Sequence, residues 1–158
     1  MTCDDDFNQT ELDRYWLRLA LQAADEAQLR GEVPVGALLV KDNKLIAQSS
    51  NSSIEHNDPT AHAEMLVMRE AAQLLNNYRL TGTTLYVTLE PCMMCAGAML
   101  HARIKRLVFG AYDPKTGAAG GCFNWLLDER HLHKIDVTGG VMQDQCGQIL
   151  KSFFKRRR

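Results

Sequence analysis

Two short segments of this chain carry the residue types that do chemistry: His62-Ala-Glu64 and Pro91-Cys92-Met-Met-Cys95. Cys92 and Cys95 stand three residues apart and so share one face of a helix. A helix N-terminus favours negative charge and lowers thiol pKa values, which helps both cysteines act as anionic ligands. His62 would add a neutral nitrogen. Two sulfurs and one nitrogen leave the fourth position of a tetrahedral zinc ion for water, the open arrangement of a catalytic site. A structural site is closed by a fourth protein ligand. Glu64 falls about 200° around an ideal helix from His62. That suits a carboxylate held off the metal to move the protons of a bound water. Taken singly, each segment has a plainer reading. Cys-x-x-Cys also serves redox pairs and halves of structural zinc sites, and His-x-Glu is common on helix surfaces.

The elements that must position these residues follow from periodicity and punctuation. Apolar spacing predicts a helix over 11–30 that Gly31 stops, strands over 35–40 and 45–48, and a hairpin turn over 41–44. After a polar loop, Asp58 suits an N-cap and Pro59 a first helical position, with apolar spacing running to Leu75. The β-branched run 83–89 predicts a buried strand, and Pro91 opens a helix to about residue 101. A strand over 106–110, a Gly-rich loop over 113–121, a short helix over 124–131 and a strand over 134–137 come next. The last helix begins near Asp144, with Cys146, Ile149, Leu150, Phe153 and Phe154 as its apolar face. The order αββαβαβαβα implies an α/β, three-layer αβα fold, with a five-stranded mixed sheet and helices on both faces. Residues 1–158 read as a single domain, with its site at the carboxyl ends of strands.

Together, and each opening a helix, the two segments match the H-x-E…P-C-x-x-C signature of zinc nucleobase deaminases. A longer set of residues carries a closer likeness. It comprises Glu32-Val-Pro-Val-Gly-Ala37, Asn51, Asp58-Pro-Thr-Ala-His-Ala-Glu64 and Asn77-Tyr-Arg-Leu80, then Thr84-Leu-Tyr-Val-Thr-Leu-Glu-Pro-Cys-Met-Met-Cys-Ala-Gly-Ala-Met99, Phe109-Gly-Ala111 and Lys115-Thr-Gly-Ala-Ala-Gly120. Over about residues 15–154 the chain resembles the bacterial tRNA-specific adenosine deaminases, within the zinc-dependent cytidine/deoxycytidylate deaminase superfamily. The resemblance implies a cytidine-deaminase-like fold, a cytoplasmic homodimer with one zinc ion per subunit, and conversion of adenosine to inosine at the wobble position of a tRNA anticodon stem-loop. It implies His62, Cys92 and Cys95 as zinc ligands and Glu64 as proton shuttle. Asn51 would contact the target nucleoside, and Phe154 on the last helix the RNA. Two departures stand out: Tyr112 where a basic residue is expected, and Gly121-Cys122 where a Ser is usual.

Composition bounds the alternatives. With 46% hydrophobic and 23% charged residues, the 158-residue chain is of globular type, neither disordered nor fibrous. No run approaches the roughly 18 apolar residues of a membrane span. Five cysteines without framework spacing fit a reducing compartment, and Cys3, Cys122 and Cys146 read as free thiols. His56, His101, His131 and His133 lack ligand spacing. The net charge of −1 argues, taken alone, against a nucleic-acid partner. It conceals an acidic head, with Asp4, Asp5, Asp6, Glu11 and Asp13, and a basic end over 151–158, with Lys151, Lys155, Arg156, Arg157 and Arg158. Basic residues beside an aromatic suit phosphate neutralisation and base stacking. Two other functions share the zinc motif: deamination of a free base or nucleoside, and a non-catalytic zinc module that binds nucleic acid. Glu64 and the open fourth position oppose the second of these.

Overall fold

A computed structural model describes residues 3–157. The hairpin is set by its turn. Asp42 and Asn43 have φ of 50° and 58°, the two positive values that a type I′ turn needs and that Asp and Asn tolerate. The turn joins β1 (Gly36–Lys41) to β2 (Lys44–Ser50) as antiparallel neighbours. β1 also pairs antiparallel with β3 (Thr83–Leu89), which pairs parallel with β4 (Arg106–Ala111), itself parallel to β5 (Asp136–Thr138). The sheet runs β2-β1-β3-β4-β5, mixed and five-stranded as expected.

Alternation along the strands divides the core in two. Leu38, Tyr86 and Val108 are cross-strand partners and pack with Trp16 and Leu17 of α1 (Cys3–Leu29) and Cys146 of α4 (Gln143–Arg156). On the other face, Leu39, Leu85 and Leu107 form a row, as do Ala37, Val87 and Phe109. These pack with Val67 of α2 (Ala63–Leu74) and Met99 of α3 (Met93–Ala102). α4 can approach β4 closely because residue 110 is glycine. A Cβ there would overlap the Cys146 thiol.

One buried polar cluster fastens α1 to the sheet. Arg106 donates from both terminal nitrogens to Asp13, each at 2.7 Å, and Tyr86 donates its hydroxyl to the same carboxylate at 2.9 Å. Asp13 is 3% exposed, so its charge belongs to this pair and not to a free acidic head.

Several element boundaries differ from expectation. α1 begins at Cys3, and α2 begins at Ala63 instead of at Asp58 and Pro59. The Asp58 carboxylate accepts the Thr60 N–H (2.8 Å) and hydroxyl (2.7 Å), a side-chain turn that holds the segment out of the helix. The helix expected over 124–131 is only a 3₁₀ turn, Trp125–Leu127. Asp128 accepts the Arg130 N–H at 2.9 Å and turns the chain away. On α4, Cys146 and Phe153 are buried, whereas Phe154 is 49% exposed. The basic end is also less free than it reads. Arg156 donates to Gln28 at 2.8 Å, and Arg157 donates to the Gly31 carbonyl at 2.5 Å while lying over the Phe153 ring. The side chains of Cys3, Asp4, Asp5, Asp6 and Arg158 lie outside the described residues.

Candidate active site

His62 and Cys92 occupy the same local position, each the N-cap of a helix. Both have extended backbone, with φ/ψ of −74°/151° and −75°/175°. Their carbonyls accept the first helical N–H groups, from Leu66 and Ala96. Two helix N-termini, of α2 and α3, thus meet beside the carboxyl end of β3. His62 lies outside the helical turn, so its relation to Glu64 is not the ideal-helix angle expected from spacing. Glu64 is in the first turn of α2, and only 4% exposed.

The three prospective ligand atoms lie within 4.8 Å of one another. His62 Nδ1 is 3.7 Å from the Cys92 sulfur and 3.5 Å from the Cys95 sulfur. Tetrahedral zinc with its usual Zn–S and Zn–N bonds sets sulfur and nitrogen about 3.6 Å apart. The donor set therefore fits zinc both in chemistry and in spacing. Hydrogen bonding from Cys95, supplemented by His62 and the Cys95 backbone N–H, lowers the Cys92 thiol to about 4. The same pairing, with burial, pushes the Cys95 thiol up. A hydrogen bond to Cys92 raises His62, and Glu64 adds to the rise. Burial raises the Glu64 carboxyl above its ordinary value.

Asn51, at the end of β2, is brought to the same place. Its side-chain oxygen accepts the Ala63 N–H at 2.8 Å, and its carbonyl accepts from Arg30 at 3.2 Å. It thus caps the helix that carries Glu64, a role its spacing did not disclose. Phe154, by contrast, has its ring contact with Phe153 on α4, away from the two helix starts. Sequence reasoning missed two buried acids. Glu32 accepts the N–H groups of Ile54 and Glu55, shaping the loop after Asn51. Glu90 does the same for the Gly-rich loop. The available signal is that both acids stand within the motif segments Glu32-Val-Pro-Val-Gly-Ala37 and Thr84–Met99.

The family model for MafB19-like deaminase matches residues 12–158, so the chain belongs to the deaminases as a class. The tRNA-specific adenosine deaminase of Haemophilus influenzae is 52% identical over 151 residues, 95% of this chain and 87% of the relative. That of Bacillus subtilis is 45% identical over 146 residues, 92% and 91% of the two chains. The chain belongs to the tRNA-specific adenosine deaminase family. A solved structure from studies of A-to-I editing by tRNA:A34 deaminases at the wobble position of transfer RNA matches with a TM-score of 0.83 at 46% identity, over 86% of this chain and 99% of the other. The guanine deaminase from Nitrosomonas europaea shares the fold, with a TM-score of 0.78 at 22% identity over 89% and 83% of the chains. The fold is cytidine-deaminase-like.

Proposed function

We propose that this chain converts adenosine to inosine at the wobble position of a tRNA anticodon, consuming water and releasing ammonia. The observation that carries the reading is the meeting of His62, Cys92 and Cys95 at two helix N-termini, with the buried Glu64 carboxylate in the first turn of α2. His62 Nδ1 and the two sulfurs would hold one zinc ion, which when bound lowers the pKa of a coordinated water from 15.7 to about 7 and so supplies the nucleophile.

The chain's own residues do the rest. Glu64 accepts the proton that the water gives up and delivers a proton to N1 of adenine, making C6 electrophilic. The water oxygen bonds to C6, and Glu64 takes the remaining proton of that oxygen and delivers it to the amino group, so that the C6–N bond breaks, ammonia leaves and the C6 carbonyl of inosine forms. Burial suits it to this traffic, because a carboxyl with raised proton affinity releases and regains protons closer to neutrality. Asn51 has its side-chain oxygen committed to Ala63, which leaves its amide N–H groups to donate to the target nucleoside. An unpaired anticodon loop lets the base enter such a pocket at the lowest unstacking cost.

Phe154, exposed beside Lys151 and Lys155, supports RNA contact by α4. Met93, Phe123 and Leu127 are 45%, 46% and 50% exposed. They offer apolar surface at the start of α3 and around the 3₁₀ turn packed on it, consistent with a homodimer. Cys92, Cys95, Cys122 and Cys146 are free thiols, in keeping with the cytoplasm. Among the described residues no helix is long and apolar enough to cross a membrane.

Incubating the zinc-loaded protein separately with tRNA, adenosine, cytidine and guanine tests the substrate. Inosine in tRNA is expected. Product from the free compounds with none from tRNA would contradict the reading.

A further inference from the structure

The mechanism above leaves one buried acid beside the site unused. Glu90 is 2% exposed and lies between the end of β3 and Pro91-Cys92. Its Oε1 accepts the Asp113 N–H at 2.9 Å. Its Oε2 accepts the N–H groups of Ala119 at 2.8 Å and Gly121 at 2.9 Å. Three backbone donors from one loop thus converge on one carboxylate, each bond strengthened by the charge. The loop is shaped to that anion: a Cβ on Gly117 or Gly121 would overlap the Glu90 carboxylate. A further bond, from the Ala118 N–H to the Pro91 carbonyl at 2.9 Å, fastens the loop next to the prospective ligand Cys92.

The outer part of the loop is preformed as well. Asp113 accepts the N–H groups of Lys115 and Thr116, at 2.9 and 3.2 Å, and the Thr116 hydroxyl at 2.9 Å. Pro114, Lys115 and Thr116 are exposed. A strand end, a buried anion and a solvent-facing turn bearing a cation are therefore rigidly linked.

We propose that Glu90 is a positioning residue for the RNA. It holds the 113–121 loop in register with the start of α3, so that the turn at 114–116 and its Lys115 meet the anticodon backbone while the target base sits at Glu64. The inference rests on the RNA-deaminase reading. Because Glu90 acts through the loop and not on the reacting atoms, its loss raises KM for RNA and leaves kcat. A purely structural role would instead lower stability, zinc content and kcat together.

The test uses the full-length zinc protein and an anticodon stem-loop RNA. Glu90→Gln sets an amide donor against backbone donors and leaves at least one unpaired. Gly121→Ala presses on the same carboxylate from the loop side. Both should raise KM about tenfold, with kcat within twofold and zinc content unchanged. Lys115→Ala should raise KM and make the salt dependence of RNA binding shallower by about one contact. In the Glu90→Gln background it should add little, since the two act as one unit. Unchanged KM, a fall in kcat or zinc, or full additivity with Lys115→Ala would each overturn the proposal. If Glu90→Gln does not fold, Gly121→Ala and Lys115→Ala carry the test by the same criteria. A wild-type protein that leaves the RNA unedited contradicts the deaminase reading itself. An active wild type with indistinguishable variants contradicts only the role of Glu90.

Discussion

At Cys92, hydrogen-bond donors at a helix N-terminus hold the thiol down near 4. At Cys146, burial without such donors pushes it up to about 12. The same side chain is thus a prepared ligand in one place and an inert packing group in the other. Alkylation of the native zinc protein at pH 8 should modify the exposed Cys122 and spare Cys146 until the chain unfolds, as read by peptide mass spectrometry. The folded chain keeps the Cys146 proton above the ordinary value of about 9, where the unfolded chain loses it. Its contribution to stability is therefore complete below about pH 9 and is lost as pH rises toward 12. Cys146→Ala should show a shallower decline between pH 9 and 11. Asn51 combines capping with the proposed donation to substrate, and two variants separate the roles. Asn51→Ala should cost about 1 kcal/mol of stability through the lost cap. Asn51→Asp should keep the cap and still lose kcat/KM, because it lacks the amide donor. The grouping of His62, Cys92 and Cys95 near Glu64 is legible because prospective metal ligands and a proposed proton carrier show in residue type and spacing. The roles of Glu90 and Glu32 are not, since their partners are backbone groups of loops folded against them.

Strands and helices are legible in the sequence where local rules agree with packing. The turn at 41–44 carried its own chemistry in Asp42 and Asn43, and the strand at 83–89 its β-branched run. Helix starts are less legible. Asp58-Pro59 has the composition of a helix start, yet the Asp58 side chain spends its oxygens on Thr60. The helix starts at Ala63, whose N–H is held by Asn51 just beyond the end of β2. Only a tertiary contact decides between the two. The Asp13–Arg106–Tyr86 cluster, likewise, joins residues 73 and 93 positions apart and leaves no local pattern. Removing Asp13 leaves the half-buried Arg106 guanidinium and the buried Tyr86 hydroxyl without their acceptor. Asp13→Ala should therefore lower stability by about 1–3 kcal/mol, measured by denaturant unfolding. The paired change of Asp13 and Arg106 to apolar residues should cost less.

Across the whole molecule, the net charge of −1 is a poor guide to the partner, because its contributing charges have different duties. Asp13 is neutralised by Arg106. Arg156 and Arg157 fasten α4 to the end of α1. Deleting residues 155–158 would therefore loosen the fold as well as remove the proposed RNA contact. Neutralising Lys151 and Lys155 is the cleaner change. It should leave thermal stability unchanged and make the salt dependence of tRNA binding shallower, by roughly 0.7 per lysine for single-stranded contacts. An unchanged slope would remove α4 from the RNA interface. The central claim, that Glu64 beside a His62/Cys92/Cys95 zinc centre drives deamination of a tRNA adenosine, is tested most directly by position-resolved detection of inosine. Zinc-loaded wild type and Glu64→Ala would each be incubated with tRNA. Wild type should place inosine at the wobble position, and Glu64→Ala, at equal zinc content, should be slower by about 10²–10⁴-fold or more. Wild-type rates from Glu64→Ala, or no inosine from the wild type, would contradict it.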